Sequence, residues 1–189
     1  MNNTTINLKT LLLNANKALK EKKYEEGKYF LEKILLINPD IFEVNYNLGV
    51  LNLQLGNIDA CIDLLEKAKK INSNSSQVYF NLGLALDKKK EKNLAIKNFH
   101  KVIELEPNNI MAFFNLGTIY KEILKTNKAE QYLKKCLDLN PNFKLAFNNL
   151  FDLYDRSNQL QKYSELLKKA ENELDDNDLF TFYSGVHQY

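Results

Sequence analysis

The chain has 189 residues, 44% of them hydrophobic, with only six glycines and three prolines. Its 26 basic and 24 acidic side chains leave a net charge of +2 with the signs interspersed, which argues against a nucleic-acid or anionic-membrane surface. No run approaches the roughly 18 apolar residues of a membrane-spanning helix, and the start carries only a three-leucine run, far short of a signal peptide.

A fixed period organises what remains. Asn47-Leu48-Gly49, Asn81-Leu82-Gly83 and Asn115-Leu116-Gly117 stand 34 residues apart, and Asn149-Leu150 continues the series. Pro39, Pro107 and Pro141 keep the same beat, with Ser73 in the remaining place. A period in this range predicts stacked units that each bury an apolar face only against their neighbours.

In chain order, residues 1–7 form a polar lead with Thr5 or Asn7 as a helix N-cap. The first repeat, 8–41, is degenerate, with Asn14 and Ala15 where later units have Leu-Gly. In the second, 42–75, Asp40 is expected to cap a helix with Val44, Leu48, Leu51 and Leu55 on one stripe. Gly56-Asn57 makes its turn, and a second helix carries Cys61, Leu65 and Ala68. The third, 76–109, repeats this with Val78, Leu82 and Leu86, then Ala95, Phe99 and Val102, around a solvated Lys88–Glu91 turn. The fourth, 110–143, is the most regular, with Phe113, Leu116 and Tyr120 facing Ala129, Leu133 and Cys136.

The fifth repeat, 144–177, departs from the pattern. Phe151 takes the glycine place and Tyr163 that of a small residue, so this pair is expected to pack at a shifted angle. Counting on, a sixth unit opens at Asp178 with Gly185 in its glycine place, and the sequence stops at Tyr189. Residues 178–189 read either as a capping helix or as the first helix of a truncated sixth repeat. Their aromatic character favours the second, since caps usually present a polar face.

Asn-Leu-Gly, a small residue twelve places after the glycine (Cys61, Ala95, Ala129), another seven later (Ala68, Val102, Cys136) and a proline near the end resemble the tetratricopeptide repeat. The resemblance covers 8–177 in one register and implies an all-α, right-handed α-solenoid of helix-turn-helix repeats. First helices would line a concave groove that binds peptides or partner proteins. The repeat arms of O-linked N-acetylglucosamine transferase-like proteins look similar and use an asparagine ladder on peptides.

Nothing in the sequence points to catalysis, a cofactor or a metal. His100 and His187 belong to no ligand spacing, no Cys-x-x-Cys is present, and there is no glycine-rich phosphate loop. Cys61 and Cys136 occupy small core places and make no disulfide framework, so a reducing, cytoplasmic setting is the expectation.

The groove carries the functional expectation. The residue before Leu-Gly is Asn47, Asn81, Asn115 and Asn149 in successive units, on the face opposite the core stripe. A carboxamide both donates and accepts, so it can hold a peptide main chain whatever the side chains are. Tyr46, Phe80 and Phe114 precede three of these asparagines and add an apolar lining, with Asn148 before the fourth. The same asparagines could instead bond within the scaffold, and the aromatics could pack between units. Clamps for the acidic tails of chaperones carry lysine at the place filled here by Leu12, Tyr46, Phe80, Phe114 and Asn148, so that use is not supported.

The leading expectation is a non-catalytic scaffold for a protein or peptide ligand, with no nucleic acid and no membrane involved. The runner-up is the substrate-recruiting arm of a larger enzyme, such as a glycosyltransferase or sulfotransferase. Phe180, Phe182 and Tyr183 offer an aromatic face through which two copies could pair.

Overall fold

A computed structural model of the chain describes residues 2–174, with side chains from Asn7 onward. The aromatic stretch after Asp178 and the proposed self-pairing face lie outside the described residues. Ten helices and no strands are found among those described. The chain divides into two compact units, Met1–Leu105 and Glu106–Tyr189.

The first unit contains α1 (Asn2–Lys20), α2 (Tyr24–Ile37), α3 (Phe42–Leu55), α4 (Ile58–Ile71), α5 (Ser76–Lys88) and α6 (Lys92–Leu105). Two- and three-residue turns join α1 to α2, α3 to α4 and α5 to α6, and so short a link turns each pair into a hairpin. α2 packs on α3 and α4 on α5, which makes the stack continuous through this unit. Ala15, Leu31, Ile34, Val44, Leu48 and Leu51 form one buried cluster, and the predicted stripes of the next repeat, from Val78 to Val102, are buried as well.

Close approach within a hairpin depends on the glycine of its first helix. A Cβ added to Gly49 would meet Leu65 Cγ at 2.9 Å, and one on Gly83 would meet the Phe99 ring at 2.8 Å. In the degenerate first repeat the arrangement is reversed. Ala15 is buried in the glycine place of α1, while Gly27 on α2 gives way to Leu19, whose Cδ2 would lie 2.7 Å from an added Cβ.

The turns close identically. The N–H groups of Lys23, Asn57, Glu91, Lys125 and Gln159 each reach the carbonyl five residues earlier, at 2.8–2.9 Å. The residue just before each has positive φ: Lys22 (57°), Gly56 (82°), Lys90 (68°), Leu124 (58°) and Asn158 (51°). Such a left-handed C-terminal position normally takes glycine, yet only the second repeat supplies one.

Two helix starts differ from expectation. α1 begins at Asn2 rather than behind Thr5 or Asn7, because asparagine and threonine cost at most about 0.7 kcal/mol inside a helix and do not stop one from extending. Ile41, not Asp40, is the N-cap of α3. The Asp40 N–H goes to Asn38 Oδ1 in a local turn, and the side chain that ties this entry is Asn45, donating to the Pro39 and Ile41 carbonyls at 2.7 and 2.9 Å.

The second unit contains α7 (Ile110–Glu122), α8 (Thr126–Leu139), α9 (Lys144–Arg156) and α10 (Leu160–Glu173). Asn109 caps α7 by accepting the Ala112 N–H at 3.0 Å. Gly117 lies against the buried Leu133, with 2.7 Å from an added Cβ to Leu133 Cγ. In the next hairpin Phe151 fills the glycine place and meets Tyr163 edge-to-face, ring centroids 4.9 Å apart. α9 and α10 make fewer close backbone approaches than α7 and α8.

Candidate functional site

The four asparagines that precede the Leu-Gly or Leu-Phe core positions lie on first helices: Asn47 on α3, Asn81 on α5, Asn115 on α7 and Asn149 on α9. They are not equivalent. Asn47 is exposed, while the other three are half-buried. Asn81, Asn115 and Asn149 each donate an amide N–H to the carbonyl four residues earlier, those of Gln77, Met111 and Leu145, at 2.8, 2.6 and 2.9 Å. This back-bond fixes the carboxamide rotamer and uses part of its donor capacity, leaving the remaining sites directed away from the backbone.

In the first unit Asn81 Nδ2 also reaches the Tyr46 hydroxyl at 3.3 Å, linking α5 to α3. Tyr46 is half-buried and stacks on Phe42 with ring centroids 6.1 Å apart. Burial pushes the Tyr46 phenol above its ordinary pKa, against the opposing pull of the Asn81 hydrogen bond. Phe80 packs edge-to-face on Phe99 of its own hairpin at 5.6 Å. A lining aromatic here is therefore half scaffold, half surface.

In the second unit Phe114 rests edge-to-face on Phe143 at 5.6 Å, and Asn148 is exposed. Asn149 is engaged on both sides, because its Oδ1 accepts from Lys121 Nζ at 2.6 Å. Lys121 also contacts Asp152 at 2.9 Å, and Asp152 in turn takes Arg156 Nε at 2.6 Å. Partial burial works to raise the Asp152 pKa, but the hydrogen bonds from Lys121 and Arg156 outweigh it and hold the carboxyl below its ordinary value. The Asp152–Arg156 spacing of four residues is a readable helix-surface pair. Its meeting with Lys121 across two first helices was not anticipated.

Other chemistry-bearing side chains are placed elsewhere. His100 is exposed on α6. Cys61 and Cys136 are buried free thiols, and burial pushes their pKa values up to about 11 and about 12, so neither is a nucleophile near neutrality. Among the described residues no group of three or more His, Cys, Asp or Glu side chains could hold a metal ion. None of their helices is long and apolar enough to cross a membrane.

The fold and its surface can be set beside known proteins. A family model described as tetratricopeptide repeat matches residues 76–109 and 110–143, and a second of the same description matches 18–82. No curated protein matches the chain. Among solved structures, a crystal structure of MamA is 22% identical with a TM-score of 0.83, covering 88% of this chain and 91% of that one. MamA from residue 41 to its end, from Desulfovibrio magneticus RS-1, is 20% identical with a TM-score of 0.81, covering 88% and 94%. YrrB, described as a TPR protein with an unusual peptide-binding site, is 22% identical with a TM-score of 0.74, covering 89% and 88%. At these identities the likeness is one of fold. With repeat models matching residues 18–82, 76–109 and 110–143, the chain belongs to the tetratricopeptide repeat family.

Proposed function

We propose that this chain is a non-catalytic interaction scaffold that holds an extended peptide or partner segment against the asparagine-bearing faces of its first helices. Its units are taken as 8–41, 42–75, 76–109, 110–143 and 144–177. Family membership supports the general role. The observation that carries the specific one is the shared back-bond of Asn81, Asn115 and Asn149. A carboxamide already anchored to its own helix loses little side-chain entropy when it pairs with a ligand, so each pairing keeps most of its value. Asn81 and Asn115 serve as the main-chain anchors. Asn149 works through its Lys121 and Asp152 partners, and Tyr46, Phe80 and Phe114 supply apolar contact. YrrB, with its peptide-binding site, is a precedent for such use of the fold.

The test is a phage-displayed peptide selection on the chain, followed by affinity measurement of the winners on Asn81→Ala/Asn115→Ala. Two hydrogen bonds at about 0.5–1.5 kcal/mol each predict roughly 5- to 150-fold weaker binding. Both residues are only half-buried and outside the core, so the variant should stay folded and unfold cooperatively near the parent's melting temperature. Selected peptides that bind parent and variant equally would remove the asparagines from the binding site.

A further inference from the structure

On the side of α3 away from Asn47, a cleft of about 880 Å³ opens between α2 and α4, and its floor includes Asn45, Leu48 and Asn52. Asn45 and Asn52 are seven residues apart, two turns on one helix face, while Asn47 lies about 200° round from Asn45. Both floor amides are buried, at 0% and 2% exposure. Asn52 is satisfied, donating to the Leu48 carbonyl at 2.8 Å and accepting from Asn57 at 3.2 Å. Asn45 is not: its Nδ2 is spent on the Pro39 and Ile41 carbonyls, and its Oδ1 has no partner among the described groups.

The repeat register shows what this cleft lacks. Thirty-four residues on, Tyr79 stands in the place of Asn45 and Leu86 in that of Asn52, and the corresponding cleft between α4 and α6 is about 400 Å³. Tyr79 donates its hydroxyl to the Ser73 carbonyl at 3.0 Å, and Ser73 is the counterpart of Pro39. Asn45 thus keeps the tether and drops the ring. In the second unit these places hold Phe113 and Tyr120, then Phe147 and Tyr154, all four buried, and the Tyr154 hydroxyl donates to Glu130 at 3.1 Å. From the third repeat on, an aromatic ring stands in the Asn45 place, and two of the three tyrosines across both places, Tyr79 and Tyr154, end on an acceptor.

We propose that the cleft between α2 and α4 is a docking site for a tyrosine side chain of a partner protein, its ring taking the room of the missing Tyr79 counterpart and its hydroxyl donating to Asn45 Oδ1. Among aromatic occupants, an unpaired buried acceptor selects a donor-bearing ring over a plain one, because a plain ring leaves it unsatisfied. The oxygen is shut from the surface as the cleft stands, so entry displaces one of the half-buried leucines that also line it, Leu35 or Leu64. The site is independent of the asparagine faces described above.

The test uses the full chain, ¹⁵N-labelled, titrated with p-cresol, 4-methylanisole and N-acetyltyrosinamide. p-Cresol should shift the Asn45 and Asn52 side-chain amides saturably, and 4-methylanisole, which has the shape without the donor, should bind at least about fivefold more weakly. N-Acetyltyrosinamide should bind at least as well as p-cresol. Asn45→Tyr, which copies the residue at 79 and its tether, should abolish all three. Ala60→Trp, at an exposed lining position, gives the same test without touching the core. Equal affinity for p-cresol and its methyl ether overturns the pairing with Asn45. Absence of saturable shifts overturns the site, leaving a cleft that holds water only. Binding of p-cresol but not of N-acetyltyrosinamide overturns the protein partner in favour of a free phenol.

Discussion

Gly117→Ala tests the helix contact on which the second unit is built. A Cβ there would stand 2.7 Å from Leu133 Cγ and 2.9 Å from its Cδ2, with the Leu133 backbone nitrogen at 3.4 Å. Leu133 is fully buried, so it has no open space into which to turn. Two effects oppose one another. Overpacking costs about 1–3 kcal/mol, whereas alanine gains about 0.8–1 kcal/mol over glycine in a helix interior. The clash should win, because Cγ moves only if χ1 or the backbone of α8 moves with it. A net loss of up to about 2 kcal/mol is expected, read from urea unfolding followed at 222 nm. A double-mutant cycle isolates the contact. Leu133→Ala alone should cost about 2–5 kcal/mol, and adding Gly117→Ala to it should cost little or even recover stability, since the new methyl enters the space just vacated. The coupling should therefore exceed about 1 kcal/mol. A stabilised single variant, or strict additivity in the cycle, would refute the close-contact reasoning.

Two further outcomes concern the same unit. Leu124→Gly should raise stability by about 1 kcal/mol, because a left-handed residue other than glycine costs roughly 1–2 kcal/mol and the unfolded chain gains some entropy in return. Leu124 is 87% exposed, so almost no packing is lost; a lower melting temperature would mean that its side chain covers more than the structure indicates. In acid, the second unit should weaken through two carboxylates. Burial works to raise the Glu130 pKa, but hydrogen bonds from Lys134, Lys162 and Tyr154 hold it below the ordinary 4.5, as Lys121 and Arg156 hold Asp152 below 3.8. A depressed folded-state pKa gives stability that is complete above the unfolded value and is lost as pH falls through the folded one. The decline should start near pH 4.5 and flatten in Glu130→Gln; an unchanged acid limb in that variant would exclude Glu130 as a source.

The helical pairs and their core stripes were legible because burial imposes one spacing and the 34-residue period repeats it. Val44, Leu48 and Leu51, and later Leu116 and Leu133, are buried where the pattern placed them. Helix ends were less legible. Asp40 had the chemistry of a cap, but Asn45 tied the entry of α3 from inside the helix, through a hydrogen bond six residues back that no capping pattern describes. The left-handed turns at 22, 90, 124 and 158 were hidden for a related reason. Tertiary packing imposes the conformation on lysine, leucine and asparagine, and only Gly56 advertises it in the sequence.

The asparagine faces mark a different limit. Recurrence identifies Asn47, Asn81, Asn115 and Asn149 as one series, but their hydrogen bonds set each apart, since a partner such as Lys121 or Tyr46 comes from another helix at no fixed sequence offset. What the register can do is turn each place into an internal comparison. Tyr79 and Asn45 hold equivalent carbonyls with side chains of very different size, so the change cannot be assigned to the tether alone. A ring in this place, as in the third to fifth repeats, would bury apolar surface worth up to about 3 kcal/mol when fully covered. Retaining an amide with an unpaired oxygen in that place makes physical sense when another ring supplies the missing contact from outside.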